Sequence, residues 1–476
     1  MPTERPAVID KLPSLDASRR LVVIPISERN MLDVPTTPLF SSKLPVVTRM
    51  FGVPIGRDTS TRRQEAVVVT RIDNAQGQEP YIARISEDGS YPHNRSINYM
   101  YAGDTTAEQI EIAGHVYSGI SSKGADFVYP ELVHDPNYPH DFRIEGLVTE
   151  DFAKSIVKVS NWLLSVGISA EVIWSVSRLD KLPLKKQTFP LKKDATAPDF
   201  VDLVTPKEFK KALINQAEVS NARSKPEDKI DLKKAKRYLS RTDFVVVNRA
   251  TEVPFRLSDL IVPFYAFDAK ERVENFAFMM NRIFSHLNTK RDPNDLLRYL
   301  QISDQTGQPE LKDWNESLLK YFTYFATNLG TQIGSLHKHN VTHNSLHGGN
   351  IVADGSFCDI DSLEGLPLGE PAITAKRAAK DIFYALTGID STTFALAHQG
   401  IISKDQVDFI RATFLKQYIA TRWKQPPLQW EPDFTPSELK SDTARYVHDW
   451  QIVEDPSMPS YKQELVTALN EFDSNS

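Results

Sequence analysis

The chain has 476 residues, 41% of them hydrophobic and 25% charged, with a formal net charge of −6. That length gives room for two or three domain-sized units with a large core, and the mildly acidic balance excludes the basic footprint of a nucleic-acid binder. A single cysteine, Cys358, excludes an intrachain disulfide and fits a reducing, cytoplasmic setting. Met1 to Arg20 carries no apolar signal region. No stretch reaches the roughly 18 apolar residues of a membrane span, so neither a membrane nor a nucleic acid is expected as partner.

In chain order, residues 1 to about 45 are rich in Pro, Ser and Thr and read as a mobile arm, with Leu21-Val22-Val23-Ile24 as one short packing element. From 46 to about 122 strands and turns follow; 66–70 and 80–85 flank the polar 74–78, the pattern of a hairpin. No GxGxxG loop occurs among them. Thr149 caps a helix that Glu150 and Asp151 open and that runs through Phe152, Ile156, Val159 and Leu163 to a stop at Gly167. A strand over 173–179 comes next. The stretch from 184 to about 241 is dense in Lys and broken by Pro190, Pro198, Pro206 and Pro226, with helical pieces over 207–214 and 229–239. It reads as an inserted helical segment whose charge is a solvated face. A buried strand over 242–249 precedes Pro254-Phe255-Arg256-Leu257. Beyond residue 265 the pattern is helical, over 273–287, 314–337, 375–386 and 406–423. The fold class expected is α/β in the broad sense (α+β): a mixed β/α part over 46–265 and a mostly helical part over 266–476.

One stretch organises the rest. His343-Asn344-Ser345-Leu346-His347-Gly348-Gly349-Asn350 follows a helix, and Ile351-Val352-Ala353, the turn Asp354-Gly355 and Phe357-Cys358-Asp359-Ile360-Asp361 follow it. The order is helix, loop, strand, turn, strand, acidic loop. Nucleotide-using enzymes of the protein-kinase type need this order, because an Asn and an Asp there hold Mg²⁺ on the phosphates. Asn350 and Asp359 would be those two. A histidine-rich surface turn before a plain β-hairpin is the competing reading. A strand Lys and a helix Glu order the phosphates in such folds, and Lys123 and Glu150 fit the places; Glu150 would equally serve as a helix-dipole acid.

Four segments carry a likeness to a known family. They are Ser122-Lys123-Gly124-Ala125; the helix ending Ser165-Val166-Gly167-Ile168; Val246-Val247-Asn248-Arg249-Ala250 with Arg256 seven positions after Arg249; and the nine-residue spacing from Asn350 to Asp359. Over about a third of its length the chain resembles the kinase-like superfamily, and within it most closely the selenoprotein O family of pseudokinase adenylyltransferases. The resemblance implies a two-lobed fold with ATP and Mg²⁺ between the lobes, and AMP transfer from ATP to a protein hydroxyl, so that ATP and a protein substrate are the partners expected. It also implies that the nucleotide lies reversed, with Lys123 and Glu150 at the phosphates, Arg249 and Arg256 at the γ-phosphate end, and Asn350 and Asp359 on Mg²⁺. A guanidinium fork suits the task given to the arginines.

The departures bear on catalysis. Gly349 stands where that family has an acid before the metal Asn, and Ser345 stands where ordinary kinases have the catalytic-loop Asp. The run His343 to Asn350 also resembles the His-Gly-Asp-Leu-His-x-Gly-Asn of small-molecule phosphotransferases, again without the Asp. His347 and Asp361 remain as the bases to consider. His343 belongs to the same loop, with a bracing role expected. His337 and His339 sit at a helix C-terminus, where the dipole accounts for them. A zinc site built from these histidines matches no spacing of a metal motif. Asp381 resembles the buried helix Asp that braces the loop in kinase-like folds. Two rivals to AMP transfer stand: phosphoryl transfer to a small molecule or a protein, and a catalytically silent pseudokinase that binds nucleotide or acts as a scaffold.

Overall fold

The computed structural model describes residues 147–185, 201–225, 229–253, 255–261, 311–424 and 431–449, the single positions 276, 280, 283, 284 and 428, and twelve strands before residue 147. The chain is a mixture of helix and antiparallel sheet, an α+β protein. It divides into two compact units, one within 22–158 and 172–250, the other within 159–171 and 251–476. Among the described residues no helix is long and apolar enough to cross a membrane.

The first unit is built on a seven-stranded sheet. Its strands are β1 (Thr36–Ser41), β2 (Pro80–Ile82), β3 (Ser96–Tyr101), β4 (Gly119–Lys123), β5 (Val148–Thr149), β6 (Val172–Leu179) and β7 (Phe244–Thr251). The order is β1-β6-β7-β4-β3-β2, with β5 beside β7. β6 and β7 pair antiparallel, Val176 opposite Val247, and bury Val172, Val176, Val245, Val247 and Ala250. The segment read as an arm contributes β1, which pairs with β6 as an edge strand; that part of the arm is sheet, held by ladder hydrogen bonds that a single edge strand gains without any alternating pattern. The packing element expected at 21–24 lies outside the described residues. β2 pairs with β3, and Gln64–Glu65 pairs antiparallel with Ile85–Ser86, next to the hairpin expected between 66–70 and 80–85. Residues 66–70 lie outside the described residues.

Helix α1 (Glu150–Ser165) starts where expected, Thr149 Oγ1 accepting from the Phe152 N–H at 3.4 Å, and stops at Gly167 with φ of +71°. The Lys-rich segment holds the paired strands Leu182–Lys185 and Val201–Val204 and two helices, α2 (Pro206–Asn221) and α3 (Leu232–Ser240). Thr205 and Glu208 form a capping box on α2, and Asp231 caps α3. Phe209, Leu213, Ala217, Ala235 and Leu239 are buried, Lys207, Lys211, Lys233, Lys234 and Lys236 are exposed, and Lys210 is half-buried over the Phe244 ring.

Among the described residues of the second unit are the long helices α4 (Leu311–Lys338), α5 (Ala375–His398), α6 (Lys404–Trp423) and α7 (Pro436–Asp449). The apolar positions of α4, Leu318, Phe322, Phe325, Leu329, Ile333 and Leu336, recur every three or four residues and are all fully buried. Gly330 and Gly334 let α6 approach: a Cβ on Gly330 would lie 2.5 Å from the Phe414 carbonyl oxygen, and one on Gly334 2.8 Å from Thr421 Cβ. The helix expected over 273–287 lies largely outside the described residues; Phe276, Met280, Ile283 and Phe284 are buried.

Candidate functional site

The loop 343–350 is held between the end of α4 and a small β platform. Past the last turn of α4, Asn340 adopts a left-handed φ of 63°, which Asn tolerates. Its side-chain oxygen accepts the Ile373 N–H at 2.7 Å and its carbonyl the Leu366 N–H at 3.1 Å. β8 (Val341–Thr342) then pairs with β9 (Glu364–Gly365) and leads into the loop. Beyond the loop the chain folds back on itself. Ile351 pairs with Phe357, and the Cys358 N–H donates to the Asn350 carbonyl at 3.0 Å. The turn between is fixed by Asp354, whose Oδ1 accepts from the Ser356 N–H at 2.8 Å and hydroxyl at 2.6 Å. Gly355 has φ of +87°, and a Cβ there would lie 2.8 Å from the Leu329 nitrogen, so only glycine fits. Residues 255–257 flank one side of this hairpin, with Leu257 N–H on the Ile351 carbonyl and Ala353 N–H on the Phe255 carbonyl, both at 2.8 Å. Residues 169–171 flank the other, with Phe357 N–H on the Ser169 carbonyl and Glu171 N–H on the Phe357 carbonyl. Pairing of 351 with 357 puts Asn350 opposite Cys358, so Asn350 and Asp359 meet at one end of the platform.

A buried carboxylate holds the loop. Asp381 of α5 accepts the N–H of His343 at 2.7 Å, that of Asn344 at 2.8 Å and Nε2–H of His337 at 3.2 Å. The Tyr418 hydroxyl of α6 donates to His337 Nδ1 at 2.9 Å, which fixes the Nε2–H tautomer. Burial pushes the His337 pKa below the usual imidazole value, with Asp381 opposing, and pushes the Tyr418 phenol up. Asp381 therefore braces the loop, as its place in the sequence suggests. His337, assigned above to the helix dipole, is instead a fully buried link between Tyr418 and Asp381. Its position four residues after Ile333 on the apolar face of α4 was the available signal. His343 is also fully buried; Nε2–H donates to the Cys358 carbonyl at 3.1 Å and Nδ1 accepts from the Ser362 hydroxyl at 3.0 Å. With both ring nitrogens occupied it is a brace, and a catalytic part for it is not compatible with this burial. The same occupancy removes His337 and His343 from any zinc site, and His339 Nδ1–H donates to the Ser335 carbonyl at 2.8 Å.

Neither a protein-family model nor a curated protein matches this chain. Its chemistry is therefore read from the groups themselves. Asn350 Nδ2 donates to the Ser345 carbonyl at 2.8 Å, which orients the amide, and its Oδ1 accepts no hydrogen bond among the described residues. Asp359 sits in the left-handed region, φ 59° and ψ 48°, with its side chain half-buried. An amide oxygen and a carboxylate are hard donors that fit Mg²⁺, which needs only one or two protein carboxylates beside phosphate oxygens and water. No group of three or more His, Cys, Asp or Glu suited to a metal occurs among the described residues.

The other expected residues fall as follows. Arg256 lies opposite Val352, and its guanidinium donates to the Gly349 carbonyl, next to Asn350. His347 is exposed, and its Nδ1 accepts the Gly349 N–H at 3.1 Å. A neutral ring held this way carries its proton on Nε2, which weakens its case as a base. Asp361 is half-buried in the short turn Ile360–Ser362. In the first unit, Lys123 ends β4 with 2% exposure, its Nζ 5.7 Å from the Phe152 ring centroid. Arg249, 1% exposed, is on the neighbouring β7. Glu150 corrects the expected pair with Lys123: its carboxylate takes Lys154 at 2.9 Å and Arg178 at 3.5 Å. Lys154 is one turn along α1 and reaches it first. Glu171, unused by the sequence reading, accepts the Ile360 N–H at 3.3 Å.

Proposed function

We propose that the chain binds ATP with Mg²⁺ on a kinase-like fold and transfers AMP to a protein hydroxyl. The observation that carries this is the loop 343–350, fixed through two backbone N–H groups by Asp381, with Asn350 and Asp359 brought to the same end of the hairpin by the pairing of Ile351 with Phe357. A cation held there would neutralise charge on the phosphates as the transfer proceeds. Asn350 and Asp359 would hold it. Arg256 steadies the Gly349 carbonyl from which the Asn350 peptide leaves, and a guanidinium fork is of the kind that suits a phosphate. Phosphoryl-group chemistry leans on positioning and charge more than on a strong base, so a loop without a carboxylate at 345 and 349 can serve it. AMP rather than phosphate is chosen on the family resemblance and on that missing acid.

One observation favours a second reading, a catalytically silent nucleotide binder: His347 has its Nδ1 engaged within the loop, and no carboxylate lies between 343 and 350. Thermal unfolding of wild type and Asp359→Ala with ATP, with and without Mg²⁺, tests binding. Wild type should gain about 2.7 kcal/mol at a ligand concentration 100-fold above Kd, and the variant should lose the Mg²⁺-dependent part. Wild type that gains nothing overturns the proposal. Mass spectrometry after incubation with ATP then separates the outcomes. An added AMP supports the transferase, an added phosphate moves the chain to the phosphotransferases, and binding with no added group makes it the silent binder.

A further inference from the structure

Glu171 lies where the chain leaves α1 and passes to β6, and it is 2% exposed. Among its contacts are these. Its N–H donates to the Phe357 carbonyl at 2.7 Å, its carbonyl accepts from the Ser160 hydroxyl at 3.3 Å, and its Oε1 accepts from the Ile360 N–H at 3.3 Å. The Ser169 N–H, two residues back, is tied to Gln332 Oε1 at 2.9 Å. Glu171 therefore stands on a rigid support, and its side chain reaches the peptide that follows Asp359.

That peptide is unusual. Asp359 is one of three non-glycine residues with positive φ among those described. Asp enters this region more readily than most residues, yet it stays there only where its surroundings hold it. Two ties bracket Asp359: Cys358 N–H on the Asn350 carbonyl before it, and Ile360 N–H on Glu171 after it. The Ser362 hydroxyl also lies 3.4 Å from the Asp359 carbonyl, but it is shared with His343 Nδ1.

We infer that Glu171 is a positioning residue for Asp359: its carboxylate clamps the Ile360 N–H and so holds the Asp359 backbone in its left-handed conformation, at the end of the hairpin it shares with Asn350. The consequence for Mg²⁺ rests on the function proposed above; the clamp itself does not. Groups that orient a metal ligand from behind typically matter about 10- to 100-fold in metal affinity.

Amide hydrogen exchange of the peptide spanning 359–362, measured on the full chain without nucleotide, tests the clamp. Glu171→Ala should exchange there about tenfold faster, and Glu171→Gln, which keeps an oxygen acceptor, should stay within about threefold of wild type. Glu171→Asp, one methylene shorter, should fall between them, and it provides the readout should Glu171→Ala not fold. Unchanged exchange in a folded Glu171→Ala, or in Glu171→Asp where that variant alone folds, overturns the clamp. In parallel, the Mg²⁺ concentration giving half of the ATP-dependent thermal shift should rise about tenfold in Glu171→Ala and little in Glu171→Gln. Wild type without any MgATP shift, but with the exchange pattern as expected, would sink the metal reading and leave the clamp standing.

Discussion

Three N–H groups converge on the carboxylate of Asp381, two from the loop backbone and one from His337. Asp381→Asn keeps the shape but turns an NH₂ toward N–H donors. It should lower stability by about 3 kcal/mol, read as a shift of the urea midpoint, because buried donors are left unmet. His337 adds a pH dependence with a definite sign. Burial lowers its folded-state pKa, so the unfolded chain takes up a proton first as pH falls. Its stabilisation is complete above the ordinary imidazole value of about 6.5 and is lost below it, by about 1.4 kcal/mol per unit of depression. Urea midpoints at about pH 7.5 and 5.5 should therefore move less in His337→Gln than in wild type. At this scale the nine-residue spacing of Asn350 and Asp359 across a tight turn was legible from short-range order, whereas Asp381, 38 residues from His343, was expected only through a resemblance. The sequence could not show Tyr418 or Glu171, which reach the loop from 81 residues after His337 and 189 before Ile360.

The helices were legible where an apolar face repeats without interruption, as in α4, expected over 314–337 and found at Leu311–Lys338. α5 was expected to stop at Leu386, yet it continues to His398 through Thr387 and Gly388. Gly388 does not end the helix; a Cβ there would lie 3.0 Å from the Gly348 nitrogen, so its bareness lets α5 touch the loop. A glycine placed for close approach looks the same in one sequence as a glycine placed for a stop. The pair Gly330 and Gly334 gives a test of such contact. On an isolated helix Gly→Ala gains about 1 kcal/mol. Gly330→Ala should instead destabilise by about 1–3 kcal/mol in thermal unfolding, because the new methyl meets the Phe414 carbonyl of α6. A gain in stability would show that the two helices can separate at no cost.

Across the whole molecule, charge is distributed unevenly. Residues 205–241 carry eleven basic and five acidic side chains in a chain of net −6. On α3 and its ends Lys229, Lys233, Arg237 and Arg241 are exposed and form no ion pair among the described residues. If this is a solvated face, Lys233→Gln combined with Arg237→Gln should change stability by less than about 0.5 kcal/mol in thermal unfolding. A larger loss would mean the face packs against something. The boundary between the units could not be read from composition, because it is not a single cut. The chain leaves the second unit after Glu171 and returns at Thr251. Anyone dissecting the gene meets this directly. A fragment starting at Thr251 would encode Arg256, the loop, Asn350 and Asp359, yet it would leave the hairpin edge at Phe357 without the strand 169–171. Exposed edge N–H and C=O groups invite other chains to pair, so such a truncation is headed for inclusion bodies. The fragment to express would instead be an internal deletion, with 159–171 joined to 251 by a short linker in place of 172–250.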